Sequence, residues 1–263
     1  MPTTEVRDQV LAWEKVGVGD ADVVLVHGWQ NAGSTWAPLV DRLDGSGHRL
    51  TILDLPGCGA SPAPPDWQGA TIDAMAQTLL AFMANRGLER PVLVGHSLGG
   101  AIGLAVTLAA PEALAGLVLV APASTSGMDF VSDEQFESLL RPTQAEKAAL
   151  ARAAFHRPLE PSQLEAVMAV VDSADPTHVE GGARSMRDFD IRDRLGEVAV
   201  PTVLIAGDRD RHVPIAHHVD TWRGIPRCGL HVHHDVGHVP FWEVPDEFAA
   251  VVRRFLDREA AVG

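Results

Sequence analysis

Residues 91–100 read Pro-Val-Leu-Val-Gly-His-Ser-Leu-Gly-Gly, and this stretch decides the fold. Its first half is a short apolar run typical of a buried strand, and a helical pattern begins at Leu98. Ser97 therefore lies on a tight strand-to-helix turn, where the glycines two residues before and two residues after it remove side chains that would clash. We expect its hydroxyl at the C-terminal edge of a sheet, over a helix N-terminus whose dipole favours negative charge.

The rest of the chain predicts a parallel sheet covered by helices, because short apolar runs alternate with amphipathic or alanine-rich stretches. Apolar runs typical of strands buried on both faces occur at Val23–His27, Leu50–Leu55, Pro91–Gly95, Leu117–Ala121, Pro201–Ala206 and Leu230–His234. Helices are predicted at Ser34–Leu43, Thr71–Arg86, Leu98–Ala109, Ile215–Arg223 and Pro245–Asp257. We interpret Val10–Val18 as a strand at the solvent edge. The predicted fold class is α/β, with a mostly parallel twisted sheet flanked by helices.

The alternation of strands and helices stops between about Ser124 and Leu195, where the sequence is polar and helical. Three helices are predicted there, at Asp133–Arg141, Gln144–Phe155 and Pro161–Asp172. We interpret residues 124–194 as a helical cap inserted into a core formed by residues 1–123 and 195–263. The cap is expected to lie over Ser97 and to build the pocket for the acyl or leaving group.

The composition excludes several classes of protein. The chain has 263 residues, of which 46% are hydrophobic and 21% charged, which is typical of a globular protein. A formal net charge of −14 argues against nucleic acid or an anionic membrane as a partner. The apolar runs are too short to cross a bilayer, and residues 1–10 lack the apolar core of a signal peptide. We therefore predict a soluble cytoplasmic protein that acts on a small molecule, with its oligomeric state left open.

A serine nucleophile requires a base, and the base requires an acid that orients it. The last two predicted strands are followed by candidates for both roles, Asp210 and His238. The order Ser97, Asp210, His238 places each residue on a loop after its own strand, at the edge where open α/β sheets bind ligands. Asp208 is the alternative acid, otherwise interpreted as a turn residue that caps or pairs with an arginine.

Further histidines raise the alternatives of a different base or a metal site. His231 and His233 would share one face of a strand, and His234 follows them. Strand alternation alone produces such pairs, and no acidic or cysteine partner has suitable spacing. We therefore predict no metal and no organic cofactor. The remaining histidines of this region are expected near the surface or the pocket rim, and they are His212, His217 and His218.

Five motifs in this order resemble the α/β-hydrolase fold superfamily, in its serine-nucleophile branch of capped esterases. They are His27-Gly28-Trp29, Asp54-Leu55-Pro56-Gly57-Cys58-Gly59-Ala60-Ser61, the Ser97 turn, Gly207-x-x-Asp210-x-x-Val213-Pro214 and Gly237-His238. The resemblance runs from about Asp22 to Leu256, and its acid motif selects Asp210 over Asp208. The N–H of Leu98, directly after the nucleophile, is one expected oxyanion donor. By family position the second is the N–H of Trp29, in a loop that His27 shapes as a structural residue.

The predicted function is that of a serine hydrolase which cleaves a small-to-medium carboxylic ester, lactone or thioester through an acyl-enzyme on Ser97. The dehalogenases and epoxide hydrolases of this fold have aspartate at this position, so both are excluded. C–C bond hydrolases often have asparagine where this chain has His96, and cofactor-free dioxygenases commonly have histidine where it has Leu98. These classes, and a ligand receptor with vestigial hydrolysis, remain the alternatives.

The substrate contacts are the least determined part of the site. The candidates are Gln30, His96, Met128, Phe130, Phe155, Val213 and Val239, with Met168 as a further pocket or cap-core residue. Gln30 is equally consistent with a side chain that points to solvent. Arg184 and Arg187 either bind a substrate carboxylate or are solvated arginines on the cap.

Overall fold

The computed structural model describes residues 1–260 and shows an eight-stranded sheet. The strands are β1 (Thr3–Val6), β2 (Gln9–Val16), β3 (Ala21–Val26), β4 (His48–Leu53), β5 (Val92–His96), β6 (Gly116–Val120), β7 (Thr202–Gly207) and β8 (Cys228–His233). Their spatial order is β1-β2-β4-β3-β5-β6-β7-β8. The β1–β2 and β2–β4 pairs are antiparallel, and every pair from β4 to β8 is parallel. This confirms the predicted α/β class.

Helices cover both faces of the sheet. They are α1 (Ala37–Leu43), α2 (Ile72–Arg86), α3 (Leu98–Ala109), α4 (Asp133–Leu140), α5 (Gln144–Ala153), α6 (Pro161–Ser173), α7 (Pro176–Asp188), α8 (Ile215–Gly224), α9 (Pro240–Glu243) and α10 (Pro245–Ala260). Side chains of α2 and α3 pack in one buried cluster with Val24 and Val26. Those of α1 and α10 pack in a second cluster with Val23 and Leu25, because successive residues of β3 face opposite sides. Within residues 1–260, no helix has both the length and the apolar character needed to cross a membrane.

Helix α2 shows how local sequence sets the ends of an element. The hydroxyl of Thr71 accepts a hydrogen bond from the N–H of Ala74 (3.3 Å) and so caps the first turn. Gly87 ends the helix with a φ of 64°, a left-handed conformation that glycine adopts without strain. Between these ends the face that carries Leu79 and Phe82 is buried against the sheet.

Four helices, α4 to α7, lie between β6 and β7, and we call residues 124–194 the helical insertion. Capping boxes begin α4 and α5: Ser132 and Gln135 satisfy each other's backbone N–H at α4, and Thr143 and Glu146 do so at α5. Three of the four helices match predicted ones. The boundaries of the core and the cap stay a prediction, since the positions of helices alone do not define domains.

The structure adds β1, α7 and the four-residue α9 to the predicted elements, and it moves one predicted strand away from the edge of the sheet. The strand predicted at Val10–Val18 is present as β2, but it is not at the edge, because β1 pairs with its outer side. The four residues of β1 are too few for a periodic pattern. Helix α7 was not predicted, because few of its residues are apolar and its two glycines disfavour a helix, although Val179, Ala183 and Met186 recur at helical spacing on its buried side. The Asp175 N-cap followed by Pro176 is the signal that identifies where it starts.

Candidate active site

Ser97 occupies the turn between β5 and α3 in a backbone conformation that few non-glycine residues adopt. Its φ is 51° and its ψ is −114°, and such strain persists mainly at functional positions. The flanking glycines permit it. A Cβ on Gly95 would lie 2.3 Å from the carbonyl oxygen of Gly99, and a Cβ on Gly99 would lie 2.3 Å from that of Val26. The half-buried Ser97 side chain is thereby held at the N-terminus of α3.

Asp210 lies in the loop after β7, and its carboxylate is buried and fully hydrogen-bonded. Oδ1 accepts the backbone N–H groups of His212 (2.8 Å) and Val213 (3.0 Å), which closes the turn. Oδ2 lies 2.7 Å from Nδ1 of His238 and 3.3 Å from Nε2 of His218. Burial raises the pKa of Asp210, but the charge of His238 and the hydrogen bonds from both imidazoles outweigh it and hold that pKa well below its usual range.

His238 lies in the loop after β8, where two backbone hydrogen bonds fix its position. Its N–H donates to the carbonyl oxygen of Ala154 (2.7 Å), and its own carbonyl oxygen accepts a hydrogen bond from Nε2 of His96 (3.0 Å). Because the ionised Asp210 can only accept, Nδ1 of His238 carries the proton of the neutral ring. Nε2 is then the basic nitrogen, as the role of a general base requires.

The imidazole of His238 lies between two other histidine rings. His212 stacks on it with ring centroids 4.8 Å apart and planes 11° from parallel, and His96 approaches at 4.8 Å. Burial and the charge of His238 lower the pKa of His96 well below its ordinary value and that of His212 to about 4. Both neighbours are therefore neutral near pH 7. The buried ring of His96 is hydrogen-bonded to the backbone of His238, and the substrate contact predicted for it stays a prediction.

The loop after β3 lies directly against the nucleophile. A Cβ on Gly28 would lie 2.7 Å from Nδ1 of His96 and 3.3 Å from Cβ of Ser97, so a side chain here would displace the buried His96 ring. Nε2 of His27 accepts the N–H of Leu55 (2.9 Å), and its Nδ1–H donates to the carbonyl oxygen of Gly28 (2.8 Å), which is the structural role expected for it. Trp29 follows in this loop, and its N–H is the predicted second oxyanion donor.

The helical insertion contacts both sides of this site. On the oxyanion side, a Cβ on Gly182 of α7 would lie 2.7 Å from the Trp29 ring and 3.5 Å from a methyl group of Leu98. The Trp29 indole N–H also donates to the carbonyl oxygen of Val179 (3.0 Å). On the base side, the carbonyl oxygens at the end of α5 accept hydrogen bonds from the backbone of His238 and from the His212 ring.

The other predicted contact residues lie in different environments. Gln30 is 4% exposed, so the solvent alternative is wrong, and its Oε1 has no hydrogen-bond partner among the described residues. Phe155 and Val239 belong to one buried cluster, and Val213 is buried beside Asp210. Met128 and Trp29 pack against one buried cluster that contains Phe136 and Ala183. The ring centroid of Phe130 is 4.7 Å from that of His217. Met168 is half-buried in α6. Their roles toward a substrate stay predictions.

Histidines missed by the sequence analysis occupy buried positions around the site. His218, expected at the surface or the pocket rim, is 1% exposed and contacts Asp210. His178 of α7 was not singled out, and its side chain is fully buried against the loop after β4. Its Nδ1–H donates to the carbonyl oxygen of Pro56 (2.9 Å), while its Nε2 lacks a partner among the described residues. Burial and repulsion from His27 lower the pKa of His178 to about 4.

Acidification from about pH 6.5 to pH 4 is expected to destabilise the protein through His178. In this window the unfolded chain binds a proton at this residue and the folded chain does not. The free energy of unfolding therefore falls as the pH falls, by up to about 3 kcal/mol for this group. Denaturant unfolding at several pH values measures the slope. In His178→Asn, which keeps a donor toward Pro56 and cannot ionise, the slope should be flatter.

The matched control for this experiment is His156→Asn, because the side chain of His156 is 38% exposed and the Asp235 carboxylate that it faces is 3.9 Å away. We expect this variant to keep the wild-type slope. Equal slopes in His178→Asn and wild type would show that His178 does not contribute to the acid lability.

One group of acidic and histidine side chains outside the active site has metal-ligating potential. Ligand atoms of Asp208, His234 and Asp235 lie within 4.8 Å of one another. The Arg209 guanidinium lies 3.1 Å from Asp235 and 3.7 Å from Asp208, so a cation is already present at these carboxylates. We assign no metal to this group, and Asp208 has the arginine partner expected of a turn residue.

The two arginines near the end of the insertion line a cavity of about 520 Å³, whose other walls come from α4 and the start of α2. Arg184 pairs with Glu180 (2.9 Å) and lies over the Trp67 ring, and Arg187 pairs with Asp133 over a phenylalanine ring. Each guanidinium has a carboxylate partner, but Nη1 of Arg187 is buried with no hydrogen-bond partner among the described residues. Both interpretations of these arginines therefore stay predictions.

Comparison with known proteins identifies the family of this chain. The model of a family described as the alpha/beta hydrolase fold matches residues 23–245. The chain belongs to the α/β hydrolase fold family. An esterase from Thermogutta terrifontis has a TM-score of 0.84 at 27% identity, over 98% of this chain and 97% of that one. The fold, with its sheet order and its helices on both faces, is that of the family.

The relatives of this chain are named for hydrolysis of two different kinds of substrate. A 2-hydroxy-6-oxononadienedioate/2-hydroxy-6-oxononatrienedioate hydrolase from Klebsiella pneumoniae is 32% identical, over 92% of this chain and 89% of the relative. A pimeloyl-[acyl-carrier protein] methyl ester esterase from Aliivibrio salmonicida is 30% identical, over 95% of this chain and 97% of the relative. The chain is an enzyme of this hydrolase family.

Proposed function

We propose that the protein is a serine hydrolase that cleaves a small-to-medium carboxylic ester, lactone or thioester through an acyl-enzyme on Ser97. The observation that supports this most strongly is the buried pair of Asp210 and His238, with Oδ2 and Nδ1 2.7 Å apart. This pair lies on loops at the same edge of the sheet as the strained Ser97 turn. A nucleophile, a base and an orienting acid on three loops at one edge of the sheet form the usual serine-hydrolase constellation.

In this mechanism Nε2 of His238 takes the proton of Ser97 as its oxygen attacks the substrate carbonyl. Asp210 holds the required tautomer and stabilises the imidazolium that forms. The N–H groups of Trp29 and Leu98 donate to the oxyanion of the tetrahedral intermediate. His238 then protonates the leaving alcohol or thiol, and water repeats the sequence to release the acid. No metal or organic cofactor takes part in any step.

The helical insertion is proposed to act as the cap of this site. It contacts the oxyanion loop through α7 and the base loop through α5, so its packing shapes the space above Ser97. We propose the core as residues 1–123 and 195–263 and the cap as residues 124–194. The small-molecule substrate is bound between them. That the enzyme is soluble and cytoplasmic stays a prediction.

C–C bond hydrolysis is the second candidate, and the Klebsiella relative favours it. A hydroxy-oxo-dienedioate has a ketone and carboxylates but no ester, so its hydrolysis breaks a carbon–carbon bond. The Aliivibrio relative, named for a methyl ester, favours the first candidate at nearly the same identity. In this chain the residue before Ser97 is His96, bound to the His238 backbone, where C–C hydrolases often have asparagine.

A substrate panel combined with covalent trapping tests the proposal. Wild-type protein is assayed with p-nitrophenyl esters of short and medium chains, lactones, thioesters and a 2-hydroxy-6-oxo-dienoate. We expect ester or lactone turnover, and a fluorophosphonate should add its mass to the peptide that contains Ser97. Cleavage of the dienoate alone would replace the proposal by the second candidate. A folded protein that hydrolyses nothing and takes up no fluorophosphonate would contradict both.

A further inference from the structure

A second histidine contacts the carboxylate oxygen of Asp210 that faces His238. Nε2 of His218 lies 3.3 Å from Oδ2, the atom that is 2.7 Å from Nδ1 of His238. We propose that His218 is a positioning residue for the acid–base pair, setting the direction of the Asp210 carboxylate and weakening its hold on the proton of His238. This inference rests on the proposed function, because it assigns His218 a part in the same triad.

The geometry gives this contact its direction. A buried carboxylate accepts hydrogen bonds, so Nε2 of His218 is the donor and its ring is the tautomer protonated there. The side chain is 1% exposed and lies in the first turn of α8, which follows directly on the Asp210 turn. Burial lowers the pKa of His218, with the Asp210 carboxylate opposing that shift, so the ring contributes an N–H dipole near pH 7.

Oδ2 of Asp210 accepts hydrogen bonds from both His218 and His238, so each donor stabilises part of its negative charge. The hydrogen bond from His218 stabilises the ionised Asp210 independently of His238, so the carboxylate gains less when His238 becomes an imidazolium. Loss of this donor should make His238 more basic. The backbone N–H groups of His212 and Val213 hold only Oδ1, so loss of the His218 donor also leaves Oδ2 with a single donor.

Other titratable groups face Asp210, His218 and His238, and the variants used in the test must leave these groups unchanged. His96 from β5 and His212 from the acid loop contact the His238 ring. His217 is the neighbour of His218 on α8, and its charge acts on that ring. The variants below change none of these groups, so a change in pH dependence is assigned to the contact between His218 and Asp210.

The test compares His218→Leu, which has no donor, with His218→Gln, whose amide reaches about as far as Nε2. In the leucine variant we expect the acid limb of the plot of kcat/KM against pH to shift to higher pH by about half a pH unit or more. Its kcat should fall several-fold with KM nearly unchanged. The glutamine variant should restore the wild-type profile. A merely structural role would instead lower stability or the yield of active protein without moving the acid limb.

A spectroscopic measurement keeps this inference separate from the proposed function. The hydrogen-bonded Nδ1 proton of His238 should give a low-field NMR signal, identified by its loss in His238→Gln. In His218→Leu we expect this signal to move to lower field, because the remaining hydrogen bond to Oδ2 strengthens, and in His218→Gln to stay in place. This readout needs no substrate, so it stands even if the panel shows no ester hydrolysis.

Folding is checked by near-UV circular dichroism. If His218→Leu does not fold, His218→Asn replaces it, since its amide is one methylene shorter than glutamine and does not reach Oδ2. The proposal is wrong if a folded donor-less variant keeps both the wild-type acid limb and the wild-type proton signal.

Discussion

Replacement of Ser97 by alanine is expected to reduce ester turnover by about four to six orders of magnitude. The substitution removes only Oγ, the atom that would form the acyl-enzyme, and retains the Cβ. Alanine therefore meets the same backbone strain at a φ of 51° as serine does. The loss should be in kcat, while substrate affinity and the free energy of unfolding stay close to their wild-type values.

Steady-state kinetics on the best substrate of the panel measures this effect, with fluorophosphonate labelling of the same preparations. Ser34→Ala is the matched control, because Ser34 is an exposed serine outside the active site. It should keep full activity and full labelling. Residual activity above about 1% in Ser97→Ala, beyond what contamination explains, would contradict the assignment of the nucleophile.

Replacement of Asp210 by asparagine should lower kcat by about 10⁴-fold. The two backbone N–H groups at Oδ1 require an acceptor, so they hold the amide oxygen in that position. The amide NH₂ then takes the place of Oδ2 and donates toward His238. Nδ1 of His238 must accept this hydrogen bond, which moves the ring proton to Nε2. In this tautomer His238 cannot take the proton of Ser97.

Asp208→Asn is the control that separates the two candidate acids. Asp208 lies two residues earlier, and its carboxylate accepts the N–H of Asp235 (2.7 Å) and contacts His234 (2.6 Å), away from His238. We expect less than a several-fold change in kcat. A larger loss in Asp208→Asn than in Asp210→Asn would show that the acid was assigned to the wrong residue.

Much of the site was predictable because its motifs are local. The strand, the glycines and the helix around Ser97 are adjacent in the chain, and their sterics require the turn whatever surrounds it. The order of strands placed Asp210 and His238 at the same edge, since parallel strands end on one side of a sheet. Oδ2 of Asp210 and Nδ1 of His238 do lie 2.7 Å apart, although 28 positions separate the two residues in sequence.

Sequence periodicity by itself determined the α/β class, the strands from β3 to β8 and most of the helices. Only the tertiary structure decided which polar side chains are buried and what they contact. His178 reaches Pro56 across 122 positions and His96 reaches His238 across 142. Even the contact of His218 with Asp210, eight positions away, depends on where α8 begins after the loop that follows β7. Apolar runs report burial of a strand or helix as a whole, whereas the environment of one histidine depends on the distant segments packed against it.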